Sequence, residues 1–331
     1  MDIEECVEIK EAQWIDVRSP LEYAEGHFQL AENIFLFSDE TRALVGTVYK
    51  QKGRQEAIER ALSLVDFSEI AFRLRKFSLE KPLVIYCARG GMRSQGVGFL
   101  AELLGYNKVF LVSGGYKSIR KWNRDQFEKK YKLKILGGRT GVGKTHYLSL
   151  LQGIGENVID LEALASHKGS VFGGIGKVQP TQEHFENLLA YALFTKQRGD
   201  CIWVEDESRF IGKVTIPETF FCRMRESSLW VLETLMEARI QRICDDYASE
   251  EKNELTKAIE KLRKRLGSVS TGQALLCLEQ NDYKKCCEIL FSHYDKRYDY
   301  DLSKRESFFI NKLEIQGKRE EEVLRELVEK K

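Results

Sequence analysis

The sequence predicts an α/β protein: a parallel-sheet domain followed by a second α/β domain that ends in a helical C-terminal part. Three observations predict it. Short apolar runs alternate with amphipathic stretches over roughly the first two thirds of the chain, the pattern of strands joined by crossover helices. Two of those runs end in glycine-rich turns carrying basic residues, 86-YCARGGMRS-94 and 136-LGGRTGVGKT-145. And 331 residues suit about two domains at roughly 100–200 residues each.

The elements follow in order. WIDV (14–17) reads as a strand, PLEYAEGH (20–27) as a helix start and turn, and IFLF (34–37) as a second strand. A long polar amphipathic stretch covers 39–77, and LVIYC (83–87) is a strand ending at a cysteine. SQGVGFLAELLGY (94–106) has helical apolar spacing, and VFLVSGG (109–115) is a strand closed by a glycine turn. The stretch 117–134 holds eight Lys/Arg against two acids, which reads as a connector. The expected boundaries are a first domain over 1–122, a connecting helix over 123–134, an α/β domain over 135–228 and a helical region over 229–331. In the α/β domain KLKILGG (132–138), NVIDLE (157–162) and CIWVEDES (201–208) read as strands. WVLETLMEARIQRICDDY (230–247) reads as helix, and 314–331 as a solvated amphipathic helix.

Composition is that of an ordinary globular protein: 43% hydrophobic, 31% charged, net charge +1. The near-neutral charge neither demands nor excludes nucleic acid, because binding depends on how charge is distributed. The N-terminus has no apolar signal-peptide core, and no run approaches the roughly 18 apolar residues of a membrane span. A cytoplasmic protein with no membrane association is expected. The cysteines at 6, 87, 201, 222, 244, 277, 286 and 287 form no CxxC pair and have no zinc-ligand spacing with histidine. Apart from Cys87 they read as reduced thiols.

Cys87 stands at the end of a buried strand before a glycine turn. Backbone amides, the next helix N-terminus and the cations Arg89 and Arg93 would favour a thiolate there, or an anionic group carried on the sulfur. Gly90, Gly91 and Ser94 complete the turn. A second loop, 138-GRTGVGKT-145, fits G-x-x-x-x-G-K-[ST] between a strand and a helix. The backbone around Gly138, Gly141 and Gly143 would wrap phosphates, Lys144 would reach the terminal ones, and Thr145 would face Mg²⁺. For the acidic side of the metal, Glu205, Asp206 and Glu207 stand at a strand end, with Asp160 as competitor. The loop does not say which phosphorylated ligand binds, and no base-selective motif such as NKxD is found.

The first domain resembles the rhodanese family. 15-IDVRSPLEYAEGH-27 is similar to its first motif, and 86-YCARGGMRS-94 with 104-LGYNKVFLVSGGYKSIRKW-122 to its second. The resemblance implies a rhodanese-like fold with Cys87 as nucleophile. One departure is the Cys-x5-Arg spacing from Cys87 to Arg93, where common rhodaneses have Cys-x4-Arg. A seven-residue loop resembles rhodanese-fold phosphatases and suits a phosphate-bearing or bulkier group.

Taken with the P-loop, the insertion 38–58, the glycine-rich run 160–176, EDESRFIG (205–212) and HYDKRYD (293–299), the chain resembles the tRNA 2-selenouridine synthase family. That resemblance implies a rhodanese-like domain joined to a P-loop NTPase-like domain. It implies a tRNA substrate with 2-thiouridine at the wobble position of the anticodon stem-loop. It further implies exchange of sulfur for selenium from selenophosphate, an S-geranylated intermediate made from geranyl diphosphate, Mg²⁺ and a selenophosphate-supplying enzyme as partner. RNA contact needs surface cations: Lys50, Lys52 and Arg54 in the insertion, Arg120, Lys121 and Arg124 in the connector, and Lys261, Arg263, Lys264 and Arg265 further on. His27 reads as structural; His167 is open. Two rival readings are a rhodanese-fold phosphatase or sulfurtransferase fused to a nucleotide-binding domain, and a non-catalytic P-loop sensor.

Overall fold

The computed structural model describes residues 1–168, 176–196, 201–247, 251–306 and 309–329. It divides into two compact units, Met1–Phe127 with Glu186–Tyr191, and Glu128–Phe185 with Ala192–Lys331.

The first unit is built on a four-stranded parallel sheet in the order β2-β1-β3-β4, from β1 (Gln13–Asp16), β2 (Ala31–Asn33), β3 (Leu83–Tyr86) and β4 (Val109–Leu111). β3 is buried at every position, as expected of a strand covered on both faces. Ile15, Ile34, Leu83 and Ile85 pack with Ile70 and Leu74 of the helix Phe67–Leu74 and Val97 and Ala101 of the helix Met92–Leu103. Each of the isoleucine, leucine and valine side chains contributes about 1.5–3 kcal/mol on full burial.

Two sequence expectations shift here. The second strand lies at 31–33, not at IFLF (34–37). Ile34 and Leu36 still donate to the Asp16 and Val17 carbonyls, extending the pairing beyond the regular strand. The connecting helix runs Gly115–Glu128, starting at the glycine turn. Its lysines and arginines stand out in the sequence, but Tyr116, Ile119, Trp122, Asn123, Gln126 and Phe127 form its buried face at helical spacing. The insertion becomes two helices, Asp39–Lys52 and Arg54–Leu62. Together they bury only Ala57.

The second unit holds a five-stranded all-parallel sheet in the order β11-β10-β5-β7-β6. Its strands are β5 (Leu133–Gly138), β6 (Asn157–Ile159), β7 (Ile202–Glu205), β10 (Ser228–Glu233) and β11 (Ile310–Glu314). The short strands β8 (Phe210–Ile211) and β9 (Val214–Thr215) form an antiparallel hairpin. The region read as helical from 229 therefore supplies two sheet strands. SLWVLE is buried at its four central positions, and a short apolar run of that kind does not distinguish strand from helix. The C-terminal stretch is also not simply solvated. The helix Glu320–Glu329 buries Val323, Leu324 and Leu327 against Leu136, Leu148, Leu151, Trp203 and Trp230. Helices Lys252–Lys261, Ser268–Glu279 and Tyr283–Ser303 share a smaller core of Leu255, Ile259, Leu278 and Leu290.

Candidate active site

In the first unit, β3 delivers Cys87 to the carboxyl edge of the sheet. The loop behind it closes on backbone alone. Gly90 has φ +65°, and a Cβ there would lie 2.8 Å from both the Gly114 amide nitrogen and the Val112 oxygen. Gly115 has φ +57°, and a Cβ there would meet the Cys87 carbonyl oxygen at 2.2 Å. No side chain fits either position. The Cys87 carbonyl accepts from the Tyr116 amide at 2.8 Å.

The Cys87 sulfur is nearly buried, at 3% residue exposure. It faces the Ser94 hydroxyl at 3.3 Å and accepts from the Gly91 amide at 3.2 Å. Burial pushes its thiol pKa up, but hydrogen bonds from the Ser94 side chain and the Arg89, Ser94 and Gly91 backbone outweigh burial and bring it below the ordinary value. Of the groups the sequence offers for this effect, the backbone amides hydrogen-bond the sulfur; Arg89 contributes through its amide, and its side chain is exposed. Arg93 donates to Glu22 at 2.9 Å, tying the helix Pro20–Glu25 to the Cys87 loop. Arg18, not singled out from sequence, is buried in a bidentate pair with Asp16 and lies 3.6 Å from the Tyr116 ring centroid. His27 stacks on Tyr23 and sets its Nδ1 2.9 Å from the Tyr23 carbonyl, a structural role.

In the second unit, β5 feeds the P-loop. Gly138, Gly141 and Gly143 take φ of +141°, +80° and +99°, and the helix Lys144–Gly153 starts directly after them, leaving its free amides beside the cradle. The register pairs Leu136 with Glu205 and Val204 with Ile159, so the carboxyl ends of β5, β6 and β7 come together. Glu162, Glu205 and Glu207 bring carboxylate oxygens within 4.8 Å of one another. Thr145 Oγ1 is 3.4 Å from Glu162 Oε2. Burial alone would lower the Lys144 pKa, but Glu207, Glu162, Glu205 and Asp206 raise it and keep the amine charged.

The acidic candidates are thus sorted. Glu205 and Glu207 join the cluster. Asp206 turns away to Arg305 at 2.6 Å and Arg225 at 3.7 Å. Asp160 caps the short helix Leu161–Leu164 through the Ala163 amide. Glu162 was missed by sequence reasoning, although it stands in NVIDLE at a strand end. Burial and the neighbouring charges push Glu162 up to about 8 and raise Glu205 and Glu207. One Glu205 oxygen is buried without a hydrogen-bond partner. Three oxygen ligands strained by mutual repulsion beside the Thr145 hydroxyl fit a hard divalent cation such as Mg²⁺. His167 is buried beside Gly212, and burial lowers its pKa. The glycine-rich run at 169–175 that follows it lies outside the described residues.

The RNA-contact candidates also separate. Lys50, Lys52, Arg54, Lys121 and Arg124 are exposed, with Lys52 3.4 Å from Glu56 and Arg54 reaching Met92 of the Cys87 loop. Arg120 is not such a surface cation: it pairs with Glu186 and donates to Asn187 at 2.7 Å. Lys261, Arg263, Lys264 and Arg265 are exposed, Arg263 in a pair with Glu260. Among the described residues, no helix is long and apolar enough to cross a membrane.

A rhodanese-type cysteine loop followed by a P-loop α/β unit defines a two-domain protein with one anion cradle in each domain. Comparison with known proteins specifies it. Residues 131–330 match the family described as the tRNA 2-selenouridine synthase AAA domain, and residues 2–122 match the rhodanese-like domain. The tRNA 2-selenouridine synthase of Marinobacter nauticus is 37% identical, over 88% of this chain and 89% of its own. That of Hydrogenovibrio crunogenus is 34% identical over 91% and 92%, and that of a Sulfurovum species 36% over 88% and 89%. The chain belongs to the tRNA 2-selenouridine synthase family.

Proposed function

We propose that the protein replaces sulfur by selenium in wobble-position 2-thiouridine of tRNA, using selenophosphate, through an S-geranylated intermediate made from geranyl diphosphate. The observation that carries the reading is that both cradles keep their reactive groups within this family's architecture: a thiol activated by hydrogen bonds at Cys87, and Lys144 beside a carboxylate cluster.

The chemistry explains why two cradles are useful. Sulfur on C2 of the base is a poor leaving group. Its attack on the first carbon of geranyl diphosphate forms a C–S bond and expels diphosphate, giving an alkylated sulfur that a selenium nucleophile can displace. Lys144 and the P-loop amides would bind the diphosphate and take up its charge. Thr145, Glu162, Glu205 and Glu207 would hold Mg²⁺, which neutralises charge on a departing diphosphate. The Cys87 loop, one residue wider than in common rhodaneses, would receive the selenophosphate group. The Cys87 thiolate would stand beside it, and the amides lining the loop favour the anionic form of the sulfur and of a group next to it. The rival phosphatase reading lacks an acid within 88–93 to protonate a leaving alcohol.

Nucleoside mass spectrometry tests the reading. The protein is incubated with 2-thiouridine tRNA, geranyl diphosphate, Mg²⁺ and selenophosphate, each donor being omitted in turn. A selenium-containing uridine that requires both donors supports the proposal. Unchanged thiouridine in every mixture, with folded protein and bound tRNA, overturns it in favour of phosphatase or sensor roles.

A further inference from the structure

The motif HYDKRYD (293–299) touches no substrate group in the mechanism above, yet it lies on the helix Tyr283–Ser303, where Asp299 meets Arg139 of the P-loop, Tyr298 meets Gly137 just before it and Asp295 meets Arg239. Asp295, Tyr298 and Asp299 are spaced i, i+3 and i+4, which puts them on one helix face. Asp295 grips Arg239 with two hydrogen bonds of 2.8 and 2.6 Å. Arg239, at 3% exposure, spends its remaining Nε–H on the Thr140 carbonyl at 2.8 Å. Three residues further along the helix Met236–Tyr247, Arg242 donates to the Gly141 carbonyl at 3.0 Å. Asp299 holds Arg139, the first variable residue of the P-loop, through bonds of 2.8–3.1 Å. Tyr298 fills the space over the loop's entry, where a Cβ on Gly137 would meet its hydroxyl at 2.8 Å.

A phosphate cradle works by aiming successive N–H groups at one anion. In the glycine-rich loop 138–143 the peptide planes have little side-chain restraint, so something must hold each carbonyl away from the ligand. We propose that Asp295, Tyr298 and Asp299 are positioning residues for the P-loop, with Arg239 and Arg242 as the donors that fix the Thr140 and Gly141 carbonyls. The cradle's amides are then set by the C-terminal helices before the anion arrives, which lowers the ordering cost of binding. This rests on the P-loop being a diphosphate site, as proposed above.

The test uses inorganic diphosphate with Mg²⁺, measured by calorimetry on the full chain, alongside the melting temperature of the unligated protein. Lys144→Ala serves as the control that removes a direct contact. Asp295→Asn is expected to weaken binding by about 10- to 100-fold, the range that follows loss of an outer partner at a preorganised site. Arg239→Lys should recover part of what Arg239→Ala loses, because an amine still reaches the Thr140 carbonyl. Should the Asp295 variant fail to fold, Asp299→Asn and Arg242→Gln carry the test, since both remove half-buried or exposed partners. They are expected to weaken binding severalfold at unchanged melting temperature. Wild-type affinity in Asp299→Asn, Arg242→Gln and any folded Asp295→Asn, with binding abolished in Lys144→Ala, overturns the positioning role and leaves the diphosphate reading intact. No binding by the wild-type protein removes the diphosphate reading and this inference with it.

Discussion

The Ser94 hydroxyl lies 3.3 Å from the Cys87 sulfur and 3.0 Å from the Gly91 carbonyl. It has one proton to give, so it serves the carbonyl or the sulfur, and a thiolate is the stronger acceptor. Ser94 therefore favours the charged form of Cys87 from within a buried site. Ser94→Ala should move the pH profile of Cys87 alkylation by iodoacetamide to higher pH. A hydrogen bond to a charged acceptor is worth about 1.5–3 kcal/mol, so the rate near neutral pH should fall by roughly tenfold or more. An unchanged profile would mean that the backbone amides alone set the thiolate.

The Glu162, Glu205 and Glu207 cluster predicts a link between pH and the divalent ion. Glu162 is pushed up from the ordinary 4.5 to about 8. A carboxyl raised in the folded state retains a proton that the unfolded chain has already released, so stability falls as pH rises from about 4.5 through about 8. The melting temperature of the ion-free protein should decline over that window. Mg²⁺, which favours the ionised carboxylates, should restore it more at about pH 8.5 than at about pH 6. Glu162→Gln should flatten the decline. An equal effect of Mg²⁺ at both pH values would rule out this cluster as a Mg²⁺ site.

What sequence could show and what it could not divides along physical lines. The Cys87 loop and the P-loop were legible because each is contiguous: glycines, cations and a nucleophile or lysine sit within ten residues. Glu162 and the partners of Asp206 were not, because they depend on strand register, here Leu136 opposite Glu205 and Ile159 opposite Val204. The partner of Arg93 is hidden for a similar reason. Arg93 stands six residues from Cys87 in sequence, while the carboxylate it pairs with, Glu22, is 71 residues away along the chain. β10 and β11 were hidden because a short apolar run has no period that separates strand from helix.

The exposed and the engaged cations should behave differently toward tRNA. Lys50, Lys52 and Arg54 lie on helices that bury almost nothing. Replacing all three by alanine should leave the melting temperature unchanged and reduce the slope of log affinity against log salt by about 1 for each phosphate no longer neutralised. Arg120→Ala should do the reverse. It breaks the pairing with Glu186 and the hydrogen bond to Asn187, so it should lower the melting temperature and leave the salt slope alone. Filter binding across a salt series, paired with thermal melts, separates the two; an unchanged slope in the triple variant would move the RNA surface away from the insertion.

Two glycines of the first unit make opposite predictions from the same substitution. Gly46 lies inside the helix Asp39–Lys52, and a Cβ there meets nothing within 4 Å. Gly46→Ala should be neutral or stabilising by up to about 1 kcal/mol, because alanine has less backbone freedom to lose. Gly115 has φ +57°, and its Cβ would stand 2.2 Å from the Cys87 carbonyl oxygen and 2.5 Å from the Gly90 amide nitrogen. Both neighbours are backbone atoms, so relief requires moving the strand end that presents Cys87 or the turn that supplies its amides. The strained dihedral alone costs about 1–3 kcal/mol, and the steric clash adds to it. Gly115→Ala should therefore lower stability in urea unfolding by at least about 2 kcal/mol and, in whatever fraction stays folded, slow Cys87 alkylation as Ser94→Ala does. A Gly115→Ala protein with wild-type stability and wild-type thiol reactivity would show that the Cys87 loop is not held by this close backbone approach.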